Sequence, residues 1–183
     1  MPMESYDLAM TLLIISCSLS PSSRSRILAN EAAKTLSSLE ANVQTLDLRD
    51  HPLPMCDGED CDPKLLAPLR EAIKRADAIL LAVPIYNYDV NAAAKNLVEL
   101  TGSAWEGKLV GFLCAAGGHS SYMSVMSLAN SLMLDFRCLI VPRFVYATKQ
   151  DFDSQSVSSP KVRDRIQQLC TETVRLGKAL GES

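Results

Sequence analysis

Residues 16–26 read SCSLSPSSRSR, six serines and two arginines with no carboxylate among them. Hydroxyls donate without charge and guanidinium is a permanent forked cation, so this inventory suits an anion, and a terminal phosphate monoester above all. Neither GxxxxGK[ST] nor GxGxxG is present, which disfavours a nucleoside triphosphate and a Rossmann-type dinucleotide. The competing reading is a polar loop in which Ser23 only caps a helix. A second stretch, Val83-Pro84-Ile85-Tyr86-Asn87-Tyr88-Asp89, stiffens the exit from a strand with proline and offers two phenol faces against which a heteroaromatic ring could lie. Ordinary surface tyrosines would look the same. A third, Ala115-Ala116-Gly117-Gly118-His119-Ser120-Ser121-Tyr122, has two glycines that let a flat ligand approach the backbone and serines that donate to it or cap a helix. His119 stands alone, with no partner that would make it a catalyst. A phosphate cradle, an aromatic and amide wall and a glycine-lined edge are the parts that hold flavin mononucleotide (FMN). No acid–base pair, nucleophile or metal-ligand cluster accompanies them, so no residue is assigned a catalytic role. That pattern suits a cofactor that carries the chemistry itself.

These stretches need elements to position them. Apolar runs recur at residues 8–15, 43–48, 78–83, 109–116 and 138–145, each short and without clean alternation, as in strands buried on both faces of a parallel sheet. Helical spacing fills the gaps: Ile27, Leu28, Ala32, Leu36 and Leu39 over 26–39, and an Asp62-Pro63 start running to about Arg75. A helix is expected over 90–101, another over 122–134, and a last one opened by Ser159-Pro160. Strand and helix alternate five times, which predicts an open doubly wound α/β sheet. The pattern leaves the strand order open between flavodoxin-like and Rossmann-like arrangements. Both bind ligands at the carboxyl ends of the strands, and the three stretches follow strands one, three and four. The acidic loop 51–61 is the expected mobile excursion.

A chain of 183 residues with 48% hydrophobic and 21% charged side chains is sized and composed for one compact domain spanning 1–183. Net charge is −3 with no basic stripe, which argues against a nucleic-acid partner. No run reaches a bilayer-spanning length, and MPMESYD carries two acids and no base ahead of the first apolar run, the wrong polarity for a signal or transit peptide. A cytoplasmic location without membrane contact is expected. The six cysteines show no CxxC spacing, which disfavours zinc and a dithiol motif; Cys56 and Cys61 are the one pair with redox potential.

On these motifs the sequence resembles the NADPH-dependent FMN reductase family of flavodoxin-like proteins, and within it the FMN reductases of sulfonate utilisation. Ser18 to Ser23, followed by Arg24 and Ser25, stand where the family carries a GSxRxxS-type turn. Val83 to Tyr86 with Lys95 match part of a TPxYxxSxxGxLK segment, and Gly107-Lys108 through Gly117-Gly118 match a GK-apolar-GG segment. The resemblance runs from about Leu8 to Phe152 and implies a five-stranded sheet of order 2-1-3-4-5. It also implies that Ser18, Ser20, Ser23, Arg24 and Ser25 bind the FMN phosphate. Pro84, Ile85, Tyr86 and Asn87 would line the ring, and Gly117, Gly118, His119 and Ser120 would meet its pyrimidine edge or ribityl chain. The implied activity is hydride transfer from NADPH or NADH to flavin N5 and onward to a small acceptor such as free flavin or a quinone. A homodimer or homotetramer built on residues 92–100 and 122–134 is implied as well.

The chain departs from the family pattern in three places. Ser20 replaces an arginine of the first turn, leaving Arg24 or Arg26 to compensate; Tyr88-Asp89-Val90 replaces a glycine-rich turn; Ala94 replaces the leucine before Lys95. Alternatives are a quinone or azo reductase on the same scaffold, a flavodoxin-like electron-transfer module without its own NAD(P)H reaction, and a binder of some other monophosphate. The mild acidity, pI near 5.4, argues against a dedicated electron carrier.

Overall fold

A computed structural model describes residues 10–39, 41–59 and 61–181. Leu8 and Ala9 of the first apolar run, and the N-terminal MPMESYD, lie outside the described residues. The elements in chain order are β1 (Thr11–Ser16), α1 (Arg24–Ser37), β2 (Asn42–Asp47), α2 (Pro63–Arg75), β3 (Ala78–Tyr86), β4 (Asp89–Val90), α3 (Ala92–Thr101), β5 (Leu109–Ala116), α4 (Met126–Phe136), β6 (Leu139–Ile140), β7 (Val145–Thr148) and α5 (Pro160–Gly181).

Strands β2, β1, β3 and β5 pair in parallel in that order, and β5 pairs in parallel with both β6 and β7. This is the doubly wound flavodoxin-like class, but the described sheet has seven strands where five were expected. The expected fifth strand is two: it breaks over 141–144 around Pro142, which has no N–H for a ladder. The additional strand is β4, two residues that fold back antiparallel on the end of β3, Ile85 opposite Val90 and Tyr86 opposite Asp89. That hairpin also delays α3 to Ala92, two residues later than expected.

Parallel pairing demands cover on both faces, and the strands alternate accordingly. Leu12, Ile14, Leu80 and Ala82 enter the core under α1 and α5, whereas Leu13, Ile15, Ile79, Leu81 and Val83 enter the core on the side of α2, α3 and α4. Gly111 in β5 belongs to the first face: a Cβ there would come within 2.7 Å of Leu80 Cδ2 and 3.1 Å of Leu169 Cδ1, so the glycine lets α5 seat on the sheet. The expectation of two buried faces fails for β2, an edge strand with several exposed residues. Helix α1 starts at Arg24 rather than Arg26 because Ser23, extended at φ −75°, accepts the Arg26 N–H on its side chain as N-cap. Helix α2 begins with Asp62 as N-cap and Pro63 in its first turn, as read. A chain of turns over 121–125 pushes α4 back to Met126. Loop 51–61 is tied at its centre to α3: Asn96 accepts the Cys56 N–H at 2.8 Å and donates to the Pro54 carbonyl at 2.9 Å.

Candidate functional site

The direction in which strands are added reverses at β1, since β2 is laid down on one side of it and β3 on the other. A crevice opens at such a switch point beyond the strand ends. Here it is a cleft of about 710 Å3, within the range of cofactor sites, lined by the segments that follow β1, end β3 and follow β5. The three stretches singled out from sequence therefore meet. All the expected site residues line the cleft except His119, and Ser22, Tyr88, Ala115, Ala116 and Ser121 join them. His119 is exposed and lies beside the lined segment, between Gly118 and Ser120, without lining the cleft itself. The two alanines ending β5 gave no signal, because a small apolar residue at a strand end looks like core.

The first segment is a loop held by its own serines. Ser18 Oγ accepts the Ser20 N–H at 3.3 Å, Ser20 Oγ accepts the Ser22 N–H at 3.3 Å, and the Ser23 and Ser25 hydroxyls share a bond of 2.9 Å. Ser18, Ser23 and Ser25 are buried polar groups. The loop runs straight into α1, whose first-turn N–H groups have no intrahelical acceptor and whose dipole favours an anion at this end. Among the described residues no carboxylate lines the cleft.

The two arginines of this segment separate cleanly. Arg26 turns away and pins the loop: its Nε donates to Asp47 Oδ2 at 2.7 Å, and its terminal nitrogens donate to the carbonyls of Ser20 (3.2 Å) and Pro21 (3.4 Å). Burial works to raise the Asp47 carboxyl, but hydrogen bonds from Arg49 and Arg26 outweigh it and hold the group below the usual carboxylate value. Arg24 is exposed, lines the cleft and forms no ion pair among the described residues. Of the two, Arg24 is the arginine that lines the cleft.

The second segment is bolted to the first. Asn91 donates its Nδ2 to the Cys17 carbonyl at 2.8 Å while its own N–H donates to the Pro84 carbonyl at 3.1 Å. Between Pro84 and Asn91 the two-residue turn Asn87-Tyr88 has φ of 50° and 65°, both in the left-handed region, as a type I′ hairpin requires. Asp89 does not line the cleft. Its Oδ1 accepts the Ser127 hydroxyl at 2.6 Å and the Val90 N–H at 2.7 Å, which fixes the turn against α4. Lys95 points elsewhere too, paired with Glu99 at 3.0 Å.

The third segment is shaped by β7. The buried Tyr146 hydroxyl donates to the Gly118 carbonyl at 2.5 Å and shares a 2.7 Å bond with Ser121 Oγ. A Cβ on Gly117 or Gly118 would meet nothing within 4 Å, so this edge is kept clear rather than packed. Lys108, at the start of the GK-to-GG segment, is remote from the cleft. Its Nζ donates to the carbonyls of Lys74 (2.6 Å) and Ala76 (2.8 Å) at the end of α2, and burial lowers its pKa.

Among the described residues no three or more His, Cys, Asp or Glu side chains are grouped to hold a metal, and no helix is long and apolar enough to cross a membrane. Cys56 and Cys61 are free, partly exposed thiols.

A doubly wound parallel sheet with a cleft at the β1–β3 switch point, lined by serines, an arginine and small residues, defines the flavodoxin-like class. The model of the NADPH-dependent FMN reductase family matches residues 10–153, and the chain belongs to that family; it is an NAD(P)H-dependent flavin oxidoreductase with FMN as its cofactor. The match is to the family at large and does not single out its sulfonate-utilisation members. An NAD(P)H-dependent FAD/FMN reductase of Geobacillus thermodenitrificans is 29% identical over 146 residues, 75% of this chain and 76% of the relative. A quinone reductase of Pseudomonas putida is 26% identical over 151 residues, 75% of this chain and 80% of the relative. The solved structure of FerB, a flavoenzyme NAD(P)H:(acceptor) oxidoreductase of Paracoccus denitrificans, superimposes with a TM-score of 0.74 at 18% identity, covering 93% of this chain and 98% of its own, which establishes the fold.

Proposed function

We propose that FMN lies along the cleft with its phosphate on the 18–25 loop and the start of α1, and its ring between residues 84–87 and the Gly117-Gly118 edge. The observation that carries this reading is the convergence of the three segments on one cleft, lined by hydroxyl donors and an arginine from the first, by Pro84 to Asn87 from the second and by Gly117 and Gly118 from the third. Bound FMN would supply the redox chemistry, two-electron transfer between the nicotinamide and an acceptor. The chain's own residues do the rest. Ser18, Ser23, Ser25 and the α1 amides donate hydrogen bonds to the phosphate, Arg24 adds a cation, and Asn91 keeps phosphate loop and ring wall at fixed separation. Tyr146 holds the glycine edge through the Gly118 carbonyl. No side chain is required to move a proton during hydride transfer, in keeping with the absence of any acid or base on the cleft wall among the described residues.

The test is an absorption titration of apoprotein with FMN, followed by anaerobic addition of NADPH or NADH. Uptake with a perturbed flavin spectrum and bleaching by the nicotinamide is expected, and S18A/S23A should weaken uptake while leaving the fold intact. Unchanged affinity in the double variant would remove the phosphate loop from the site.

The acceptor is a small molecule; we place it in the class of free flavins and quinones, on the strength of the names that the two relatives carry. The 183 residues are read as one FMN-binding domain acting as a homodimer or homotetramer. Support for assembly comes from α4 and the strand after it, where Leu134 is 85% and Leu139 49% exposed. Helix α3 contributes less than its composition suggests, since Ala94, Leu97, Val98 and Leu100 are spent in the core. A cytoplasmic setting is supported by six free thiols, which suit a reducing compartment.

A further inference from the structure

Tyr88 occupies the second position of the β3–β4 turn, where both central φ values are positive and where glycine is the residue usually found after asparagine. A side chain in that conformation is strained, so the tyrosine is retained against a local cost. The backbone on either side is fixed, by Asn91 to the Cys17 carbonyl and by Asp89 to Ser127. The ring, by contrast, is 68% exposed, and its hydroxyl has one contact among the described residues: it donates to Ser120 Oγ at a long 3.4 Å. Both residues line the cleft, and they belong to different segments of its wall. A weak latch therefore crosses the solvent side of the cleft on a rigid hinge point.

We propose that Tyr88 is the acceptor-selecting residue of this enzyme, a phenol face that exchanges its Ser120 contact for stacking on a flat acceptor such as a quinone. The proposal rests on the FMN reading above, because the acceptor must lie between the phenol and the flavin plane. The reaction it serves balances as follows: a quinone takes up two electrons and two protons to leave as hydroquinone, NAD(P)H provides two electrons with one proton as hydride, and solvent provides the second proton. Stacking adds to acceptor binding and not to the redox step. An acceptor that cannot stack, such as the octahedral anion ferricyanide, gains nothing from the phenol.

The experiment uses the FMN-loaded enzyme with menadione and with ferricyanide as acceptors, comparing wild type with Y88G, Y88A and Y88F. For menadione, KM is expected to rise about three- to tenfold in Y88G and Y88A, the range one aromatic contact supports, with kcat held. Y88F keeps the ring and should retain the low KM; ferricyanide reduction should be unchanged in all three. Two readouts do not depend on turnover. FMN affinity should stay within about twofold of wild type, because the ring faces the acceptor and not the phosphate loop. The apoprotein Tm should rise in Y88G, where glycine relieves the positive φ, and should not rise in Y88A, which keeps it. An unchanged menadione KM in Y88G and Y88A, or an equal loss with ferricyanide, overturns the proposal while leaving the FMN reading standing. Failure of the wild-type protein to take up FMN overturns both.

Discussion

Arg24 and Arg26 are two residues apart, equally charged and equally plausible from sequence as the cation of a phosphate site, and the structure gives them different work. The informative perturbation is R24A, measured against FMN and riboflavin, which differ only by the phosphate. Arg24 is exposed, so its attraction to a phosphate charge at hydrogen-bonding range sits near the aqueous limit, about 1 kcal/mol per unit charge at 4 Å. A phosphate monoester carries between one and two charges at neutral pH, giving about 1–2 kcal/mol, or roughly 5- to 30-fold in dissociation constant. Riboflavin should bind R24A and wild type alike, and the Tm of the apoprotein should not move, since Arg24 holds no ion pair among the described residues. Flavin fluorescence quenching at two ionic strengths completes the assay: the FMN difference should shrink in high salt, because an exposed pair is screened. An equal loss of riboflavin affinity, or undiminished FMN binding, would refute the placement of the phosphate beside Arg24.

Replacing Asn91 with alanine removes the donor to the Cys17 carbonyl and should cost about 1–2 kcal/mol in urea denaturation of the apoprotein; the full penalty for a buried unpaired carbonyl is softened because Asn91 Oδ1 finds no partner among the described residues. FMN affinity should fall in the same variant, and unaltered affinity would show that the two loops are aligned without this bolt. G111A forces a Cβ against Leu80 and Leu169 and should destabilise by about 1–3 kcal/mol, read from the denaturant midpoint. For Asp151, burial raises the carboxyl pKa but bonds from the Thr148 N–H and hydroxyl prevail and lower it. The stability it provides is thus complete above the unfolded value of about 3.9 and disappears as pH falls through the lower folded value. D151N should flatten the fall of Tm in that acid window, and an unaltered slope would assign the acid sensitivity to other carboxylates.

The legible part of this protein was whatever depends on local composition. Buried strands announce themselves as short apolar runs, and helix α2 is marked by Asp62-Pro63 because N-cap and first-turn chemistry are set by adjacent residues. The three cleft segments were legible for the same reason: phosphate donors, aromatic faces and glycines are residue types. What failed were features decided by partners distant in sequence. The edge exposure of β2 depends on the order in which strands add to the sheet. The break between β6 and β7 lay in view at Pro142, yet the apolar residues around it concealed the interruption. His119 looks like a site residue by its neighbours, and only the fold leaves it off the cleft lining while Gly118 and Ser120 on either side remain on it.

Arg26 shows why the site itself could be read only by type and not by role. Its guanidinium reaches Asp47, 21 residues away at the end of β2, and the carbonyls of Ser20 and Pro21 on the loop it belongs to. That set of partners exists only because β1 and β2 pair in register from Thr11–Asn42 to Ser16–Asp47, bringing the end of β2 beside the start of the loop. An arginine so occupied shapes the cradle instead of charging it. Arg24, without an ion pair among the described residues, lines the cleft from the first turn of α1, where the helix dipole already favours an anion. Strand register, and not the arginine count, decides which of the two guanidiniums is left for the cleft.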